Sequence, residues 1–229
     1  MTTNASSKFD SRRLYDVYRI TIAVREQICG GKPQNDELLA DHIRRKTGYN
    51  DELTKKQLEN AKIMGEEGLR ELTDEKLEKA RTGFLSDGKG LYIDTYQLKA
   101  MIKQSAQMLG IYKKKRGTKN MCAEGCEVKG PDHESRVYLG VKVPDGTDEN
   151  VVHAMTPQGP ISGIKHVDYV RKPKLTFEVW VLKTAPAETR HISEDDLVEI
   201  LTFSQENGVG ADRARGMGKF DVVEFGKVQ

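Results

Sequence analysis

Strand-like and helix-like periodicity alternate along this 229-residue chain in the order strand, helix, strand, strand, helix, strand, and few folds accommodate that order. Arg12 to Ile28 reads as one long β-rich run carrying Val17, Ile20, Ile22 and Val24, ended by CGGKP. DTYQLKAMIKQSAQMLG then opens on a capping Asp94 or Thr95, lines Leu98, Met101, Ile102, Ser105 and Leu109 along one stripe, and stops at Gly110. That is an amphipathic helix. Strands are predicted over Arg136–Val143 and Lys174–Lys183, the second with Leu175, Phe177, Val179 and Val181 on one side. A second helix starts at a Ser193 and Asp196 box and buries Leu197, Ile200 and Leu201, and KFDVVEF closes the chain as the last strand.

The expected class is therefore α+β, a ferredoxin-like or RNA-recognition-motif sandwich: an antiparallel sheet with two helices on one face, the other face left free to bind. One domain over 1–229 is expected, with a helical insertion at 34–82 after the first strand and a protruding arm or hairpin at 144–173. Phe84 to Ile93 brings two short apolar runs around a Ser-Asp-Gly turn, a small hairpin or loop. The segment from the first helix to about Ser135 reads as a mobile loop.

Composition narrows the function classes. The apolar fraction is 37% and the charged fraction 31%, as in a well-solvated protein with a modest core. No run approaches the length of a membrane-spanning helix, and MTTNASSKFDSRR lacks an apolar signal core, so a cytoplasmic protein is expected. With 37 basic and 35 acidic residues the net charge is +2, which neither demands nor forbids a polyanionic partner. Distribution decides. YKKKRGTK, with Lys113, Lys114, Lys115 and Arg116, is basic without any acid and is expected to meet nucleic-acid phosphate, whereas Asn50 to Ala80 mixes both signs as a solvated helical surface does. Three cysteines, Cys29, Cys122 and Cys126, argue against a disulfide framework. CAEGC followed by His133 is a loose metal-ligand spacing without an evident fourth ligand, and no metal or other cofactor is expected. No P-loop, dinucleotide fingerprint or HExxH motif occurs.

GVGADRARGMGKF, Gly208 to Phe220, places four glycines beside two arginines in thirteen residues. Glycine clusters mark turns at positive φ or a close approach to the backbone, and the arginine fork suits phosphate. The alternative is a tight helix-to-strand connection with solvated arginines. The stretch is similar to the glycine-rich loop of the RAMP superfamily (repeat-associated mysterious proteins) that builds CRISPR effector complexes, of pattern G-x-G-x-x-R-x-x-G-x-G-x-F. Gly208, Gly210, Arg213, Gly216, Gly218 and Phe220 fill it. YIDTYQLKAMIKQSA resembles the family's I-P-G-S-S-L-K-G-A-L-R segment at Ile93, Leu98 and Lys99, with Lys103 for the terminal arginine. It departs at Asp94, Thr95, Tyr96, Gln97 and Ala100.

The resemblance implies a non-catalytic backbone subunit that binds single-stranded RNA, such as a guide RNA, with DNA as the alternative, and assembles head to tail with copies of itself and other effector subunits. Arg213 and Arg215 beside Gly208, Gly210, Gly216 and Gly218, together with Lys99 and Lys103, would track phosphates, and Tyr96, His166 and Tyr169 would stack or splay bases. Two alternatives stay open. One is a metal-independent endoribonuclease of the same superfamily using His42, His166 or Tyr169, or Asp36 after the first strand. The other is a viral or mobile-element assembly protein that kept the fold without the ligand.

Overall fold

The computed structural model of the protein describes residues 11–33, 81–111, 122, 125–156, 159–183 and 192–228. In chain order the elements are β1 Tyr15–Val24, β2 Gln27–Cys29, β3 Lys32–Pro33, β4 Thr82–Gly83, β5 Leu85–Asp87, β6 Gly90–Asp94, α1 Thr95–Met108, β7 Cys126–Lys129, β8 Arg136–Tyr138, β9 Gly146–Thr156, β10 Gly159–Arg171, β11 Lys174–Leu182, α2 Glu194–Asn207 and β12 Phe220–Lys227. They divide into two compact units, one of Met1–Ile28, Ser86–Val143 and Val170–Gln229, the other of Cys29–Leu85 and Pro144–Tyr169.

The first unit is built on a four-stranded sheet ordered β12-β1-β11-β7, antiparallel at every pairing. Alternation in the two central strands assigns their faces. Tyr18, Ile20 and Ile22 stand opposite Val179, Phe177 and Leu175, and all six are buried. Each such side chain contributes roughly 1.5–3 kcal/mol when taken from water. α1 packs against β7 and α2 against β12, and the two helices touch each other. Their buried stripes are Leu98, Met101, Ile102, Ser105 and Ala106 in α1 and Leu197, Ile200, Leu201 and Ser204 in α2. At the crossing the Ser204 hydroxyl donates to Ser105 Oγ at 2.8 Å, so neither buried hydroxyl lacks a partner. The capping box at the start of α2 is formed: Asp196 N donates to Ser193 Oγ, and Ser193 N to Asp196 Oδ2. Asp94, at the equivalent position of α1, makes no side-chain cap, and Thr95 N donates instead to the Ser135 carbonyl at 2.9 Å.

Three expectations change. The long first strand breaks at Arg25 and Glu26, because beyond Val24 the backbone bonds to other segments: Arg25 N to the Lys219 carbonyl, and the Glu26 carbonyl to Lys172 N. The strand beside β11 is β7, within the segment read as a mobile loop, while Arg136–Tyr138 pairs with β6 in a separate sheet ordered β5-β6-β8. A four-residue strand such as CEVK carries too little alternation to stand out from a sequence. Nor is the sheet face away from Ile20 and Phe177 free. Trp180, 3% exposed, lies under Arg12, Lys129, His133 and Tyr15. Beside it Glu178 accepts from Arg19 at 2.9 Å and from Trp180 Nε1 at 3.1 Å. Burial pushes the Glu178 carboxyl up, but those hydrogen bonds outweigh it and hold the group below the usual carboxylate range.

In the small sheet, Asp87 Oδ1 accepts from Lys89 N at 2.8 Å and Gly90 N at 3.3 Å, which turns β5 back into β6. In the second unit β9 and β10 form a long antiparallel hairpin, in register from Gly146 opposite Tyr169 to Thr156 opposite Gly159. β4 runs parallel to β10 at Val167, and β3 pairs with β4. The buried Asp168 carboxylate receives Arg81 at 2.9 Å and the Thr147 hydroxyl at 2.7 Å. Of the insertion predicted at 34–82, residues 34–80 lie outside the described residues, which include only its Arg81 and Thr82. Among the described residues no helix is long and apolar enough to cross a membrane.

Candidate functional site

Chain geometry explains the glycines between α2 and β12. Gly208, Gly210, Gly216 and Gly218 all have positive φ, from 74° to 90°, as does Asp212 at 54°. At Gly218 the requirement is a close approach: a Cβ there would lie 1.9 Å from the Val209 carbonyl oxygen. Val209 N donates to the Gly218 carbonyl at 3.0 Å, and Gly218 N to the Gln27 carbonyl at 2.9 Å. The loop is thus closed on itself and tied to the corner between β1 and β2. At Gly216 a Cβ would meet nothing within 4 Å. Between these glycines Arg213–Arg215 forms one 3-10 turn, closed by Arg215 N to the Asp212 carbonyl and Gly216 N to the Arg213 carbonyl, each at 2.9 Å.

At the base of the loop the charges are satisfied internally. Arg25 reaches Glu206 at 2.6 Å and Asp221 at 2.8 Å, and Lys219 reaches Glu206 at 2.9 Å. The Arg25 guanidinium first, and Lys219 after it, hold the Glu206 carboxyl down to about 2. A carboxylate depressed in the folded state supports the fold above its ordinary titration range and loses that support as pH falls toward the folded value. The thermal midpoint is therefore expected to drop between about pH 4.5 and about pH 2, and to drop less in Glu206→Gln, which calorimetry across that interval checks. An identical acid profile in the variant would count against this pairing.

The tip differs. Arg213 is half-buried and Arg215 exposed, and among the described residues neither guanidinium enters an ion pair or a ring contact. The same corner also carries two cations that the sequence reading passed over. Val24 N donates to the Pro173 carbonyl at 3.0 Å and Lys172 N to the Glu26 carbonyl at 2.8 Å, so the turn between β10 and β11 abuts Val24–Gln27 just as the loop does. Lys172, at φ 46°, and Lys174 are both exposed there. The signal was the short run RKPK, split between the end of the predicted arm, with Lys172, and the start of the predicted strand, with Lys174.

The predicted site residues on α1 lie elsewhere in the first unit. Lys99 lies where its charge acts on Cys126 of β7, while the loop feeds β12 at the opposite edge of the sheet. Three inter-strand steps separate those edges, about 14 Å. Tyr96 is exposed on the first turn of α1 and Lys103 is exposed one turn beyond Lys99. In the second unit His166 faces Glu149 across the hairpin, Nδ1 to Oε1 3.7 Å, and the Tyr169 hydroxyl lies over Gly146. Lys113, Lys114, Lys115 and Arg116, like Asp36 and His42, lie outside the described residues.

The CAEGC segment and His133 are held apart. Cys126 pairs with Val181 and shares its face, whereas His133 packs edge-on to Trp180 on the other face and bonds the Arg12 guanidinium. Burial, then the neighbouring Cys122, push the Cys126 thiol up to about 12. Among the described residues no three His, Cys, Asp or Glu side chains gather as a metal-binding group.

No family model matches the chain, and no curated protein matches it. Among solved structures it is similar to a chain of the cryo-EM structure of the Type III-B Cmr-beta bound to cognate target RNA, with 14% identity and a TM-score of 0.48. The match covers 98% of this chain and 64% of that one, so the chain spans just under two thirds of that neighbour's length.

Proposed function

We propose that the protein is a non-catalytic nucleic-acid-binding subunit of RAMP type, which holds the sugar-phosphate backbone of single-stranded RNA at the glycine–arginine loop. Copies of it assemble head to tail along the strand, alone or with other effector subunits. The observation that carries this reading is the contrast within one loop: the cations at its base are neutralised by Glu206 and Asp221, while Arg213 and Arg215 at its tip have no ion pair among the described residues. A backbone held by its own hydrogen bonds presents these forks without further ordering on binding, which favours affinity. Arginine forks on a rigid turn match phosphate oxygens. The open space over Gly216 leaves room for a chain to pass close to the loop. The antiparallel sheet order, with one helix after each central strand, supports the ferredoxin-like plan.

Fluorescence anisotropy with an unstructured RNA oligonucleotide tests the reading, with an equal-length DNA alongside. Affinity is expected to fall linearly with the logarithm of salt over roughly 50–200 mM. Sedimentation is expected to show bound copies increasing in steps with oligonucleotide length. Absence of binding at the low-salt end, or an affinity indifferent to salt, overturns the reading. A discrete cleavage product from end-labelled RNA would overturn its non-catalytic part.

A further inference from the structure

We infer that Lys172 and Lys174 are a second anchor for the same polyanion, so that the bound strand crosses the end of the sheet from β11 toward β12, over the Val24–Gln27 corner. This rests on the reading above and adds a path to it. The turn carrying Lys172 is pinned to the corner through Lys172 N to the Glu26 carbonyl and Val24 N to the Pro173 carbonyl. The glycine loop is pinned to the same corner through Gly218 N to the Gln27 carbonyl and Arg25 N to the Lys219 carbonyl. Val24 and Gln27 are three Cα steps apart, at most about 11 Å. Two rigid basic elements thus flank one short stretch of backbone.

Charge accounting at this end supports the path. Arg25 and Lys219 are held by Glu206 and Asp221. Lys172, Lys174, Arg213 and Arg215 make no ion pair among the described residues; Glu26, whose carbonyl accepts from Lys172 N, is exposed, and Asp212, next to Arg213 in the chain, is half-buried. Lys174 stands opposite Ala23 on the sheet face away from Ile22, and Lys172 is held in the left-handed region that L residues avoid by roughly 1–2 kcal/mol. A lysine kept in that conformation at an exposed turn is a local departure of the kind that gathers at binding sites.

Each single-strand phosphate contact contributes about 0.7 to the slope of log K against log salt. Four contacts give a slope of about −2.8, and removing two leaves about −1.4. The test is the salt titration of the full chain carrying Lys172→Ala and Lys174→Ala. The expected result is that smaller slope, with affinity near 0.1 M salt reduced about 25-fold and the thermal midpoint unchanged. If Arg213→Ala with Arg215→Ala weakens binding while the lysine variant keeps the wild-type slope, the path is wrong and the loop reading stands. If the wild-type chain does not bind, both fall. Should the alanine pair lower the thermal midpoint, Lys172→Gln with Lys174→Gln is read by the same slope and decides the matter.

Discussion

Gly218→Ala is expected to lower the thermal midpoint by about 10 °C, whereas Gly216→Ala, at nearly the same φ, lowers it by only a few degrees. Both substitutions force an L residue into the left-handed region, at about 1–2 kcal/mol. Only the first also drives a methyl to 1.9 Å from a backbone oxygen, which no rotamer change can relieve. Relief requires the loop to open, losing the Val209 N to Gly218 bond and the Gly218 N to Gln27 bond, each worth about 1 kcal/mol. Together the terms reach about 3–4 kcal/mol, and a chain of this size shifts about 2–4 °C per kcal/mol. Calorimetry on the two variants checks the contrast. Equal shifts would mean that the close approach at Gly218 is not what its glycine serves. Gly216→Ala then has a second use: since its methyl projects into open space, any loss of RNA affinity beyond the small stability change reports a ligand passing there.

Reversing Arg213 and Arg215 to glutamate is expected to weaken single-stranded RNA binding by several hundred-fold near 0.1 M salt. Two contacts are removed and two repulsions replace them, a change of four charges at about 0.7 each in the salt slope. The thermal midpoint should move little, because neither arginine has an internal ion pair to lose among the described residues and surface substitutions of that kind stay within about 0.5 kcal/mol. Anisotropy titration and calorimetry on one preparation separate the two effects. A folded double variant that binds like the wild type removes the loop from the interface.

The parts of the fold legible beforehand were those with long, one-sided periodicity. Leu175, Phe177, Val179 and Val181 alternate without interruption and form a central strand. Ser193 and Asp196 announce their helix by local chemistry alone. β7 was missed because four residues are too few to show a period, and its assignment to the sheet depends on β11 offering an edge. The break after Val24 was missed for a related reason: in sequence Arg25 and Glu26 merely separate Val24 from Ile28 within one β-rich run, but their backbone groups are claimed by residues almost 150 and 200 positions away.

The same division holds for the candidate site. The amino-acid order determined a glycine–arginine loop between the last helix and the last strand, because positive φ and phosphate affinity are properties of those residue types. It could not say which cations are available. Arg25 and Lys219 look as basic as Arg213 in the sequence, yet acids brought from α2 and β12 neutralise them, while Lys172 arrives beside the loop from a turn forty residues earlier in the chain. Whether a charge faces solvent or an internal partner depends on long-range contacts, and those exist only once the sheet has formed.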